Sequence, residues 1–244
     1  KIVDTRTDQL LCKKVLNTIT NTDSQTKIIK KVLQEFEILY KIDHPSICKA
    51  IGIDIEAKVD DSDMTTIALF LEFQEYSLSE CLKNMNNTLK TKIVIEIAHA
   101  MNFIHKHGLI YRDLKIDNIR LNSIYEAKLI NFELIRIHEC LLYNDVILDE
   151  TMTKKVGTLG FMSPEMMNDE DYDYKTDVYS FGVVLYCIFV GSLPKKINRE
   201  MIKMPEPSQS ISKVCIDIIS KCLLHDPSER PSFEDILQEL ENNK

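Results

Sequence analysis

The sequence predicts an α+β molecule of two unequal parts: a small β-rich lobe with one main helix over residues 1–73, then a larger, mainly helical lobe over 74–244. Three observations predict it. Short apolar, strand-like stretches flank a single long helical period in the first part, and long helical periods dominate after Phe73. With 44% hydrophobic and 28% charged residues over 244 positions, the chain can bury one large core or two lobes sharing one.

Each element follows from local pattern. Residues 9–16 and 67–73 read as apolar strands, 26–42 has helical spacing, and the acidic stretch 60–63 reads as a turn. Ile93, Ile97, Ala100, Met101 and Ile104 recur at the helical period, as do Phe233, Ile236, Leu237 and Leu240. Between the helices, residues 109–121 and 125–133 read as strands or extended loops rich in charged side chains, where sites tend to lie. Pro205 and Pro207, followed by Ser208 and Ser210, mark a loop.

Composition excludes several classes of function. Lys and Arg number 30 against 38 Asp and Glu, a net charge of −8, which is the wrong sign for gripping nucleic acid or anionic membrane. The longest apolar stretch, 181–190, falls short of the ~20 residues of a membrane helix, so no span is expected. The sequence opens on Lys1 without a signal-peptide pattern, so further domains are expected upstream. Seven cysteines form no C-x-x-C pair, which suggests reduced thiols in a cytoplasmic protein. Glycine is scarce, 6 in all, against an average of roughly 7%.

The chemistry concentrates in Tyr111-Arg112-Asp113-Leu114-Lys115-Ile116-Asp117-Asn118, an acid, a base and an amide in one loop. This resembles the catalytic loop H-R-D-L-K-x-x-N of protein kinases, with Tyr for the first His. Asn131-Phe132-Glu133 falls where that family has D-F-G, and Ser163-Pro164-Glu165 where it has A-P-E. Asp177 to Gly182 resembles its central buried helix, and His225 to Pro231 its late loop with an arginine. The resemblance covers nearly the whole chain. It implies a two-lobed protein-kinase fold, and Lys115 and Thr158 imply a serine/threonine, tyrosine-kinase-like type acting in signal transduction.

The resemblance also implies roles. Asp113 handles the substrate hydroxyl, Lys115 neutralises the transferring phosphoryl group, and Thr158 lines the site. Asn118 holds Mg²⁺, with Asn131 at the second metal position. Lys14, or Lys13 in the alternative register, holds the phosphates of ATP and pairs with Glu35, with Glu37 as the other candidate. Strand alternation lets only one of the two lysines face the cleft. Glu72 and Phe73, at the junction of the lobes, and Arg120 belong to cofactor binding. Arg112, Phe132, Glu165, Asp177 and Arg230 are structural, with Glu165 and Arg230 a buried ion pair. Thr151, Thr153 and Tyr143 are candidate phosphorylation points, with Arg112 as the cation that such a phosphate engages.

Four departures bear on activity. Asn131 puts an amide dipole where the family has a metal-binding carboxylate. Unit charges 4 Å apart interact by ~4 kcal/mol at an effective dielectric of about 20, which makes a loss on the order of a thousandfold in rate the natural expectation. Glu133 replaces a glycine, removing backbone freedom; its carboxylate could serve the metal instead. Arg120 stands where the family has an apolar floor under adenine, and could stack on the base, fill the slot or turn to solvent. Lys1-Ile2-Val3 resembles the stretch directly after the glycine-rich phosphate loop, so that loop is upstream or absent.

Three functions are compatible with this reading: a pseudokinase binding a protein partner, a Ser/Thr kinase of atypical metal dependence acting on a protein substrate, and a purely structural lobe.

Overall fold

The computed structural model describes residues 1–5, 7–18, 22–57, 65–137, 157–194, 204–208 and 211–242. The N-terminal region contains β1 (Ile2–Asp4), β2 (Gln9–Thr18), α1 (Thr22–Lys41), β3 (Ala50–Ala57) and β4 (Thr65–Glu72). Its four strands form an antiparallel sheet in the order β1-β2-β4-β3, and α1 packs on β3 and β4. Strand β3 comes in addition to the elements expected above, and Ile51, Ile53 and Ile55 alternate in it. The expected acidic turn at 60–63 and Ser210 lie outside the described residues.

Residues 73–75 link this sheet to a helical region built from β5 (Tyr76–Ser77), α2 (Leu78–Cys81), α3 (Asn87–Lys106), β6 (Leu109–Ile110), β7 (Ile119–Leu121), β8 (Ala127–Leu129), β9 (Arg136–Ile137), α4 (Pro164–Met167), α5 (Lys175–Val190), α6 (Lys213–Cys222) and α7 (Phe233–Asn242). The charged stretch expected to be strands or loops is both. Strands β5-β7-β8 make one small sheet and β6-β9 another, with the loop 111–118 between β6 and β7.

Helix α5 is buried almost throughout and forms the centre of this region, with α3 and α6 packed on it and α7 on α3 and α6. Gly182 makes the α5–α6 contact close: a Cβ there would lie 2.7 Å from the Cys222 Cβ. Local chemistry sets the helix ends. Asn86 accepts the Leu89 amide at 2.9 Å to start α3, and Ser212 accepts the Cys215 amide at 3.2 Å to start α6. Gly191, at φ +82°, closes α5 in the left-handed conformation. Ser232 and Asp235 cap each other's amides at the start of α7.

Six cysteines lie among the described residues, all free thiols; Cys48, Cys187, Cys215 and Cys222 are buried. Among the described residues no helix is long and apolar enough to cross a membrane.

Candidate active site

The cleft between the two regions is organised around Lys14. Alternation along β2 turns Lys14 to the cleft, while Lys13 lies on the other face with its ammonium 5.6 Å from the Phe70 ring centre. Lys14 Nζ donates to Glu35 Oε2 at 2.9 Å and to Asn131 Oδ1 at 3.3 Å, and stands 3.7 Å from Glu133 Oε2. Glu35 is 1% exposed, and its second oxygen accepts the Phe132 amide at 3.1 Å. Burial of a carboxylate requires such partners, and Glu35 has a cation on one oxygen and an amide on the other. Glu37, in contrast, pairs with Lys41 at 2.5 Å on the outer face of α1.

Across the cleft the loop after β6 gathers Asp113, Lys115, Asn118 and Thr158. Lys115 Nζ lies 2.9 Å from Asp113 Oδ2 and donates to Thr158 Oγ1 at 2.6 Å; Thr158 in turn donates to Asp113 Oδ1 at 3.0 Å. Asn118 Nδ2 donates to Asp113 Oδ2 at 2.7 Å and to its backbone carbonyl at 2.8 Å. The buried Asp113 carboxylate therefore has donors on both oxygens, an arrangement that fixes its position and sets a cation beside it.

This loop is held from below by Asp177, at the start of α5. The fully buried Asp177 accepts the Tyr111 and Arg112 amides at 2.8 Å each and His105 Nε2 at 2.9 Å. Tyr111 occupies the packing position expected of it: its ring meets the buried Phe132 edge-on at 5.1 Å, and its hydroxyl donates to the Ile130 carbonyl. Burial pushes its phenol well above the usual range, so it remains a donor. Arg112 and Asn131 both take left-handed backbone, φ +68° and +64°, and asparagine tolerates this better than most residues.

Arg112 donates from Nε to the Leu134 carbonyl at 2.5 Å and from Nη1 to the Tyr172 hydroxyl at 3.0 Å. Thr151, Thr153 and Tyr143 lie outside the described residues. Sequence pattern alone does not reveal Tyr172 and His105, because their partners, Arg112 and Asp177, are distant in the chain and no local motif joins them.

At the linker, Glu72 faces Lys128 at 2.9 Å and accepts the Lys49 amide at 3.1 Å, so its carboxylate joins the two regions. Phe73 carries the Lys1 ammonium 4.7 Å from its ring centre. Arg120 neither stacks freely nor turns to solvent: from β7, opposite Ser77 of β5, it donates Nη2 to the Gln74 carbonyl in the linker at 3.3 Å.

Below the cleft, Glu165 of α4 and Arg230 form the expected pair, with oxygen to nitrogen distances of 2.7 and 2.8 Å. Arg230 also donates to the carbonyls of Lys175, Leu224 and His225, so this buried cation has acceptors on every side.

The comparisons with known proteins agree with this geometry. The family model for the protein kinase domain matches residues 1–240. A probable serine/threonine-protein kinase of Dictyostelium discoideum is 29% identical over 234 residues, 90% of this chain and 24% of that protein. The Aurora kinase of Schizosaccharomyces pombe is 28% identical over 229 residues, 88% of this chain and 59% of that protein. A serine/threonine-protein kinase of Arabidopsis thaliana, STY17, is 23% identical over 229 residues, 88% of this chain and 37% of that protein. The chain thus spans from about a quarter to somewhat over half the length of these relatives. With the family model matched along almost its entire length, and with its β-sheet N-terminal and helical C-terminal regions, the chain belongs to the protein kinase domain family and resembles its serine/threonine members.

Proposed function

We propose that this domain is a pseudokinase: a kinase fold that transfers phosphate weakly or not at all and serves cytoplasmic signalling by binding another protein, a partner kinase or signalling component, as one part of a longer chain. One observation carries the reading. At position 131, where the family resemblance puts a carboxylate for the metal, an amide oxygen accepts the Lys14 ammonium at 3.3 Å. Mg²⁺ is usually held through one or two carboxylates and several waters. The nearby carboxylates are already matched to lysines, Asp113 to Lys115 and Glu133 to Lys14. This donor set does not fit the Mg²⁺ that protein kinases generally use with ATP.

A second reading, a Ser/Thr kinase of atypical metal dependence, draws on the intact pairing of Lys14 with Glu35 and on the assembled Asp113, Lys115, Asn118 and Thr158. The test is phosphate incorporation into a protein substrate at millimolar ATP and Mg²⁺. The expected result is no turnover above that of Asp113→Ala, with Asn131→Asp raising any residual rate by on the order of a thousandfold. Turnover by the unaltered chain at ~1–100 s⁻¹, lost in Asp113→Ala, would establish the second reading instead.

A further inference from the structure

We infer that Glu133 and Arg120 are specificity-determining residues that close this cleft to nucleotide from within, Glu133 at the phosphate end and Arg120 at the base end. The inference rests on the proposed function and deepens it, because it names what excludes the ligand as well as what prevents the chemistry.

At the phosphate end, Lys14 is already matched by carboxylates. Its ammonium has Glu35 at 2.9 Å and Asn131 at 3.3 Å, with Glu133 at 3.7 Å. Two carboxylates against one ammonium leave this corner with a net negative charge, and an entering phosphate meets Glu133 in competition for Lys14. Glu35 is 1% exposed and fixed by the Phe132 amide, whereas Glu133 is 45% exposed and has no such anchor among the described residues. Glu133 is therefore the displaceable competitor, and its hold is weak enough for a single substitution to release it.

At the base end, the linker carbonyl of Gln74 is taken by the chain itself. Arg120 projects from β7, whose neighbours Ile119 and Leu121 are buried, and its guanidinium reaches Gln74. An adenine entering here has to displace the guanidinium from the place it fills between β7 and the linker and offer its own amino group to the Gln74 carbonyl instead, so part of its binding is spent on breaking a contact already made. The Gln74 side chain is 6% exposed and its Oε1 has no partner among the described residues, so Arg120 is the one side-chain donor seen on this residue.

The two ends are separable by probe. Adenosine reports the base end and inorganic tripolyphosphate the phosphate end, each titrated against the purified chain by NMR in metal-free buffer with chelator. The expected result is that Arg120→Leu and the shape-matched Arg120→Met tighten adenosine roughly tenfold and leave tripolyphosphate unchanged. Glu133→Gln and Glu133→Ala tighten tripolyphosphate about two- to fivefold and leave adenosine unchanged. Thermal midpoints near that of the unaltered chain identify the variants that fold, and both side chains are exposed enough for the conservative pair to do so. The inference is overturned if folded variants bind both probes as the unaltered chain does, or if the unaltered chain already binds adenosine as tightly as Arg120→Met. Phosphotransfer is read separately. Turnover by the unaltered chain refutes the pseudokinase reading, whereas tight adenosine binding without turnover refutes only this inference.

Discussion

Glu165 and Arg230 face each other in a two-point pair, at 2.7 and 2.8 Å, with Arg230 wholly buried and Glu165 only 4% exposed. The pair joins α4, at the end of the segment that begins with Asn131, to the loop before α7. Removing one partner leaves an uncompensated buried charge, so Glu165→Ala is expected to lower stability by ~3–5 kcal/mol in denaturant unfolding. Replacing both residues together by apolar ones of similar volume costs much less, which separates pairing from packing.

Acid acts on the same pair with a definite sign. Burial alone raises the Glu165 carboxyl, but the Arg230 hydrogen bonds and charge outweigh it and hold the group below its ordinary value of 4.5. A depressed folded value means that the unfolded chain takes up the proton first. Its contribution is thus whole above pH ~4.5 and lost as the pH falls through the folded value. Stability curves between neutral and acid pH should fall more steeply for the unaltered chain than for Glu165→Gln.

Gly182 is a packing glycine. A Cβ there would meet the Cys222 Cβ at 2.7 Å, an atom fixed to the backbone of α6, and the Leu223 side chain at 3.1 Å. Gly182→Ala should cost about 1–3 kcal/mol by forcing α5 and α6 apart, although alanine is the better helix former. An unchanged midpoint would show that the two helices separate freely.

Tyr111 tests the value of one hydroxyl. Tyr111→Phe keeps the ring against Phe132 and removes the donor to the half-buried Ile130 carbonyl. A loss of about 0.5–1.5 kcal/mol in unfolding is expected.

Thiol labelling reads burial directly. Burial raises the Cys48, Cys187, Cys215 and Cys222 thiols, Cys187 to about 11, whereas Cys12 and Cys81 are half-buried. Of the six described cysteines, Cys12 and Cys81 should react first with a maleimide at neutral pH, and Cys48 and Cys222 only on unfolding.

Much of the site is legible in the chain because its parts are local. Asp113, Lys115 and Asn118 lie in one loop, and their order and spacing survive without knowledge of the fold. Glu35 can be preferred over Glu37 but not fixed, since both occupy one helix and only packing tells the inner face from the outer. Strand β3 carries the alternation of a strand at Ile51, Ile53 and Ile55, but one short run does not tell a strand from a loop without its partner β4.

By itself the sequence determined the family, the order of the motifs and the departures at Asn131, Glu133 and Arg120, because these are matters of residue identity and spacing along one chain. Tertiary structure decided where long side chains end: Lys14 rather than Lys13 on Glu35, Glu133 beside Lys14, Arg120 on the Gln74 carbonyl and Arg112 on Tyr172. The physical reason is reach. A lysine, glutamate or arginine carries its charge several bonds from the backbone, so its partner is whichever group the folded chain brings within hydrogen-bonding distance.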